Sequence, residues 1–490
     1  MSLMSFFHKN ISSLRYRIAL GLSSAVLALC PWQAAQAESL FEAVEKTLAN
    51  HPRQESAMLR LEAAADKRRE EKSAFFPTLS GNAAGGRVYG DNSTSRGLSV
   101  TRGSGYSWLW EGDIALTQNL FNGMGTVNRH SAAIDREEAA KYSMDDVREM
   151  LTIETVNAYM DVLRAEDSLR YIAEYKAALE KYRPQFKVLI DQGAVDSTDQ
   201  SQAFDMIARA SKLENDFNAQ KQSAIARYAM MTGHEPQGEL HAPKGVLNIP
   251  ETQDMAVAWA LENHPQLRAA NENSDAAWHD SLAEKSAFFP KLDSELSYYK
   301  KDQDDVIGGE VVDARALLKM NWAFSTGGAE ISRYKRSRKL YQQSLSERRE
   351  KELQLVANIK DAWIMRDKLT AQQDISARRL ALSKALLNTR RDQFEGGSIT
   401  LIQLMQAHDQ HYMLGLENRQ LSYAAQNADY MILSSMGALY SRLTPEAALV
   451  IQDVQQDAAQ PEIEKFCDHQ QEHPETGKSK SDGKASEVCP

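Results

Sequence analysis

The segment Glu71-Lys72-Ser73-Ala74-Phe75-Phe76-Pro77 recurs letter for letter as Glu284-Lys285-Ser286-Ala287-Phe288-Phe289-Pro290, an offset of 290 − 77 = 213 residues. The same register aligns Ala43 with Ala256, Val44 with Val257, Leu48 with Leu261, Asn50-His51-Pro52 with Asn263-His264-Pro265, and Leu79 with Leu292. Chance does not hold one register over that span. The chain is one structural unit written twice, and each copy is too long to be a solenoid repeat, so it must contain several secondary elements.

The N-terminal segment has the form of an export signal. Lys9, Arg15 and Arg17 precede an apolar run from Ile18 to Cys30 that is too short to span a bilayer. Ala35-Gln36-Ala37 then supplies a small-x-small cleavage site before Glu38. A lipoprotein signal with Cys30 as the modified residue is the weaker reading, because Leu29 stands where a small residue is expected. Cleavage removes three cations and no anion, which takes the net charge from −10 to −13 and argues against a nucleic-acid partner. No apolar run is long enough for a membrane helix, which leaves two readings: an exported soluble protein, or one that crosses a membrane as β-strands. Cys467 and Cys489 lie in the polar segment 441–490, read as a disordered tail. In an oxidising compartment the favoured reading is a disulfide between them, ahead of a zinc site with His469 and His473.

Within each copy, the His-Pro steps read as helix starts, with proline at the first helical position, and the Phe-Phe-Pro step ends the helix. The period then changes to two. Tyr106, Trp108, Trp110, Ile114, Leu116 and Leu120 alternate with Ser107, Glu111, Asp113, Thr117 and Asn119. In the second copy Val312, Ala314, Ala316, Leu318, Met320, Trp322 and Phe324 alternate with Asp313, Arg315, Lys319 and Asn321. Alternation of this length, rich in aromatics, suits a transmembrane strand with one face to lipid and one to water. Weaker partner strands over 78–89 and 291–300 complete two hairpins, 78–121 and 291–324. A soluble β-sandwich hairpin would show the same alternation; strand length, tryptophan content and the export signal favour the membrane.

Each hairpin leads through a glycine turn into a long helical stretch, 125–192 with Pro184 near its end, and 328–395 with no proline. At 1.5 Å per residue each makes a rod of about 100 Å, far longer than a bilayer is thick. Both rods end at glycine (Gly193; Gly396-Gly397), and helices returning over 197–232 and 400–439 reach Gly233 and Gly437. The organisation is therefore a signal peptide at 1–37, a first repeat at 38–233, a linker at 234–254, a second repeat at 255–440 and the tail. Four strands cannot close a barrel, and open sheet edges are not tolerated in lipid, so the chain must form a homo-oligomer. Two copies would give an eight-stranded barrel filled by side chains; three would give twelve strands and a wet lumen, which suits Glu111, Asp113, Asp313, Arg315 and Lys319.

These features together resemble the TolC family of outer-membrane channel proteins, over nearly the whole chain between the signal and the tail. The doubled Phe-Phe-Pro, the strand-to-helix glycine turns and the hairpin segments Gly193-Ala194-Val195-Asp196-Ser197-Thr198-Asp199 and Gly397-Ser398-Ile399-Thr400-Leu401-Ile402-Gln403-Leu404 carry the resemblance. It implies a mixed α/β membrane protein: a homotrimer with a twelve-stranded barrel in the outer membrane of a Gram-negative bacterium, continued by a helical tunnel in the periplasm. It also implies a periplasmic adaptor protein and an inner-membrane ABC or other transporter as partners. The family's acidic position near the periplasmic mouth falls on Asp199 in the first copy. In the second copy it falls on Gln403, a further acidic position falls on Gln406, and a basic gate position falls on Ile399. An acidic ring from the second copy and a salt-bridge latch through Ile399 thus lack their charged residues, and Gln403 and Gln406 read equally as solvated helix positions or as gate residues. Asp196 has two readings, a member of an acidic ring or a helix N-cap.

Catalytic signatures do not stand out: there is no phosphate-binding G-x-x-x-x-G-K-[ST] loop, no H-E-x-x-H and no G-x-S-x-G. Neither enzyme activity nor a cofactor is expected. His408 and His411 are spaced for one helix face, but packing or solvent explains them better than a metal. Arg333, Lys335, Arg336, Arg338 and Lys339 form a basic cluster just after the second hairpin, read as a solvated face ahead of a contact to anionic headgroups. The leading functional expectation is a passive duct for type I protein secretion, from the loose similarity of Lys319-Met320-Asn321-Trp322 and Gly327-Gly328 to secretion-type members. Small-molecule efflux is the alternative, and a periplasmic helical scaffold without a pore is the third.

Overall fold

The computed structural model describes residues 38–90, 105–193, 196–243, 248–304, 309–324 and 327–443. The expected signal segment at 1–37, the tip of the first hairpin and both cysteines of the expected disulfide, Cys467 and Cys489, lie outside the described residues. The first half runs α1 (Leu40–Asn50), α2 (Pro52–Ser73), β1 (Thr78–Gly90), β2 (Gly105–Phe121), α3 (Gly125–Glu180), α4 (Arg183–Asp191) and α5 (Ser197–Thr232). The second runs α6 (Gln253–Asn263), α7 (Pro265–Lys285), β3 (Lys291–Gln303), β4 (Val311–Asn321), α8 (Ala329–Glu395), α9 (Leu401–Ser435) and α10 (Leu439–Leu443), with one 3-10 turn, Ser286–Phe288, before β3.

The His-Pro steps prove to be junctions between two helices, because α1 and α6 precede them. At each junction the histidine is the N-cap. Its Nδ1 accepts the backbone N–H two residues on, from Arg53 at 3.2 Å and from Gln266 at 3.1 Å. Proline at the next position costs nothing there, because its missing N–H would have had no helical partner. At the other end of α2 and α7 the Phe-Phe-Pro step packs on the start of a long helix. Phe75 meets the ring of His130 edge-on, with centroids 5.6 Å apart, and Phe288 meets Tyr334 likewise at 6.2 Å. Phe289 also closes over the first glycine turn. Gly123 has φ +62, and a Cβ there would lie 2.8 Å from the Cβ of Phe289. Only glycine satisfies both the left-handed backbone and that approach.

The four strands form one antiparallel sheet in the order β1-β2-β3-β4. Leu79 pairs with Leu116, Leu116 with Leu296 and Leu296 with Ala316, while Asn82 pairs with Asp113, Asp113 with Tyr299 and Tyr299 with Asp313. One face is therefore apolar across all four strands and the other polar, since a pleat alternates its side chains. Trp108, Trp110, Ile114, Tyr298, Leu318 and Met320 of the apolar face are each about half exposed or more in the single chain. The second hairpin ends earlier than its periodicity suggests. β4 stops at Asn321, and Trp322 and Phe324 lie beyond the strand, their rings tilted against each other with centroids 4.7 Å apart.

The two long rods differ. The stretch 125–192 is not one helix: α3 ends at Glu180, and α4 starts at Arg183 with Pro184 in its first turn. Proline lacks the N–H of a continuing helix and clashes with the preceding turn, so the break falls where the sequence places it. α8 has no proline and runs for 67 residues unbroken, about 100 Å. The tail also begins later than expected, because residues 441–443 belong to α10. Where the two halves meet, Leu151, Tyr159, Val162, Tyr228, Leu433 and Leu439 form the largest core. A second core near the helix tips joins Tyr175, Leu179, Phe186, Met206, Leu401 and Met405. α8 buries only seven of its residues, and Leu353, Ile364, Ile375 and Leu386, spaced eleven apart, are 64%, 63%, 58% and 43% exposed.

Candidate functional site

At the helix tips, Gly193 and Gly397 adopt φ of +68 and +70, and no atom lies where a side chain would point. They are turn glycines by backbone conformation, not by crowding. Asp196 stands at the N-cap of α5 with extended backbone and is exposed; its carboxylate accepts the Ser197 hydroxyl at 3.2 Å. Hydrogen bonding from Ser197 holds its pKa below the usual carboxylate range. Asp199, one turn along, is half-buried. Asp196 holds the N-cap position without a side-chain bond to the helix backbone, and its charge faces solvent.

The second hairpin differs in chemistry. The Gln403 side chain accepts the backbone N–H of Thr400 at 3.1 Å, so it caps α9. Gln406 reaches across to Gln202 at 3.4 Å, linking the two tips. Ile399 is half-buried. Gly193, Asp196 and Asp199 thus sit on one tip and Gly397, Ile399, Gln403 and Gln406 on the other, and of these seven residues only Asp196 and Asp199 are acidic.

Above the tips, His408 is buried between Tyr182 and Tyr412, and neither of its ring nitrogens has a partner. Burial pushes its pKa down to about 4. The ring is neutral packing, as its sequence context suggested, while His411 is bonded to the Ser383 hydroxyl at 2.9 Å. Among the described residues no group of three or more His, Cys, Asp or Glu could hold a metal ion. Further contacts tie the halves together. The Tyr175 hydroxyl donates to Asp409. Arg419 pairs with Asp167 at 3.3 Å and lies 3.8 Å over the ring of Tyr171. Glu149 is buried and accepts the N–H groups of Leu439 and Tyr440 at 3.0 and 3.2 Å, which fixes the start of α10. Burial pushes its carboxyl up to about 7, against the pull of those two donors.

The polar face of the sheet is a charge network. Asn82 donates to Asp113 at 3.2 Å, Tyr299 to Glu111 at 2.9 Å and Asn119 to Asp293 at 2.8 Å. Lys291 pairs with Asp293 at 3.0 Å, and Arg315 pairs with Asp313 and Lys319 with Glu295. Satisfied charges on one face and bare aromatics on the other are what a strand needs between lipid and a wet lumen. The basic cluster at the start of α8 is partly engaged by protein. Arg338 stacks over Trp278 at 5.0 Å, and Arg333 pairs with Glu330 at 3.2 Å. Lys335, Arg336 and Lys339 are exposed.

A two-faced sheet continued by helices of tunnel length defines a class: membrane-inserted channel proteins with a long helical extension. The sequence model of one family, described as outer membrane efflux protein, matches residues 43–234 and 257–438. The chain belongs to that family, that of the TolC-like channels, and is a protein of the Gram-negative outer membrane with its helical part in the periplasm. It is 23% identical over 415 residues to the outer membrane efflux protein BepC of Brucella suis biovar 1 (strain 1330), covering 83% of this chain and 87% of that protein. Among solved structures it superposes on the Campylobacter jejuni CmeC outer membrane channel with a TM-score of 0.73, at 14% identity, over 91% of this chain and 97% of that one. It superposes on the open state of the Neisseria gonorrhoeae MtrE outer membrane channel with a TM-score of 0.68, at 18% identity, over 82% of this chain and 89% of that one.

Proposed function

We propose that three copies of this chain form the passive outer-membrane duct of a tripartite export system. Each copy contributes four strands to a twelve-stranded barrel and its long helices to a periplasmic tunnel. The observation that carries this is the sheet: four strands, two free edges within the chain, one apolar face and one charged face. Lipid requires those edges to pair with another copy. An eight-stranded barrel has room only for packed side chains, whereas this sheet turns Glu111, Asp293, Glu295, Asp313, Arg315 and Lys319 to one side. The exposed stripe on α8 supports the same assembly, since an eleven-residue apolar repeat is the spacing of a right-handed helix-to-helix seam.

For cargo, the efflux names of the family and of the BepC relative favour small molecules. Protein secretion is the second reading, carried by the similarity of Lys319-Met320-Asn321-Trp322 and Gly327-Gly328 to secretion-type members. The periplasmic mouth is assigned to the two tips, with Asp199 and Asp196 supplying acidic rings once triplicated and Gly193, Gly397, Ile399, Gln403 and Gln406 shaping the adaptor contact. A periplasmic adaptor and an inner-membrane transporter complete the system, and the transporter supplies the energy. Deletion of the gene separates the cargoes: drug sensitivity with normal secretion supports efflux, and loss of a secreted protein without drug sensitivity overturns it.

A further inference from the structure

The apolar face of the sheet carries two cations, Arg87 and Lys300, and one carboxylate, Asp302, which lies opposite Trp110. Register places Arg87 opposite Trp108, and Lys300 opposite Gly112 and Val312, all positions of the outward face. Both side chains are exposed. At the middle of a bilayer a lipid-facing Arg or Lys costs about 2–4 kcal/mol, falling to roughly 0–1 kcal/mol at the interface. Two such residues on one lipid face therefore belong at headgroup level. The strand ends say which level. β1 and β3 leave the periplasmic helices at Thr78 and Lys291, so each cation lies nine residues up its strand (87 − 78 and 300 − 291). At about 3.3 Å per residue and a tilt of 35–45°, that is roughly 21–24 Å of height, the top of an apolar band about 25 Å tall.

Between the two cations the sheet surface is hollow. Ala83, Gly85 and Gly112 leave a shallow notch of 480 Å³ beside Trp110, with Lys300 and Asp302 at its rim. The Trp110 ring packs on Gly85, where a Cβ would lie 2.5 Å from it. On the other side Arg87 lies 5.3 Å over the Tyr106 ring, which fixes the guanidinium near the aromatic girdle. Lys300 pairs with no carboxylate within 4.0 Å among the described residues.

We infer that this outward patch is a binding site for a phosphorylated glycolipid of the outer leaflet, with acyl chain in the notch and phosphate groups on Arg87 and Lys300. Charge complementarity selects the occupant. Two cations at the outer headgroup level, separated by an apolar hollow, match a lipid with more than one phosphate and several chains better than a single-headed phospholipid. Arg87 suits the role because its planar fork binds phosphate oxygens in pairs. The inference rests on the barrel reading above.

The test uses the full-length protein extracted in detergent and checked first for a heat-dissociable oligomer, so that failure of the barrel reading is seen separately. Delipidated protein is titrated with diphosphorylated lipid A, dephosphorylated lipid A and phosphatidylglycerol, and bound lipid is counted by native mass spectrometry. Wild type is expected to prefer the diphosphorylated form at least tenfold over both others. The double variant Arg87→Gln/Lys300→Gln should lose that preference, Arg87→Lys/Lys300→Arg should keep most of it, and Lys335→Gln should keep all of it. Equal binding of phosphorylated and dephosphorylated lipid A by an intact wild-type oligomer overturns the site, whether or not the double variant assembles. So does a double variant that keeps the preference, and equal binding of phosphatidylglycerol overturns the glycolipid assignment.

Discussion

His264 offers a pH-dependent stability that can be worked from the structure. The ring is 7% exposed and caps α7 through Nδ1, which must be unprotonated to accept the Gln266 N–H. Burial pushes its pKa down to about 4, from an ordinary value of 6.5. Between those values the unfolded chain binds a proton that the native chain refuses. The stability that follows is present in full above about pH 6.5 and is lost as pH falls through about 4. The gap of about 2.5 units corresponds to roughly 3 kcal/mol per chain. Spread over about 400 ordered residues at about 2.1 cal/mol/K each, that is a fall in Tm of roughly 4 °C. The control is His264→Asn, which keeps an N-cap acceptor but does not titrate in this range. Thermal unfolding of both proteins is followed by circular dichroism from pH 7.5 to 4. Wild type should lose about 4 °C more than the variant over that interval. Parallel Tm curves would refute the argument, because every other titrating group is common to both. His51, the equivalent cap, has its pKa lowered in the same direction and should give a smaller effect of the same sign.

Two further outcomes follow from particular contacts. A Cβ at Gly415 would lie 1.9 Å from the Tyr171 hydroxyl, so Gly415→Ala should displace the ring from beneath Arg419 and cost about 1–3 kcal/mol of overpacking, read as a Tm lowered by roughly 1–4 °C. A Tm within 0.5 °C of wild type would mean that the helices have room there. Asp199→Ala should weaken block of the channel by multivalent cations added on the periplasmic side in planar bilayers, and unchanged block would remove Asp199 from the mouth.

The parts legible in sequence were those set by local rules. Alternation in β2 and β4 shows because a pleat sorts neighbours to opposite faces, and the C-terminal ends of α4 and α5 show because Gly193 and Gly233 are conformational stops. The break near Pro184 was also local, and a stricter reading of that proline would have divided the rod. Thr400-x-x-Gln403 is itself a capping signal, legible in the sequence beside the place of Gln403 at the tip. Trp322 and Phe324 extended the apparent strand because a period of two continues in side chains after the backbone ladder has ended. The contacts between halves were out of reach. Glu149 meets Leu439 and Tyr440 across some 290 residues, and Tyr171 meets Gly415 across more than 240; nothing local in either segment marks its partner. The histidine caps of α2 and α7 were hidden for another reason: histidine is not among the residues whose side chains usually fill that place.

The central claim is that this sheet closes only as three copies. Native mass spectrometry of the detergent-extracted, undissociated protein tests it directly. The account predicts a single oligomer with the mass of three processed chains, converting to monomer on heating. A dimer, or a monomer that conducts ions in a planar bilayer, would contradict it.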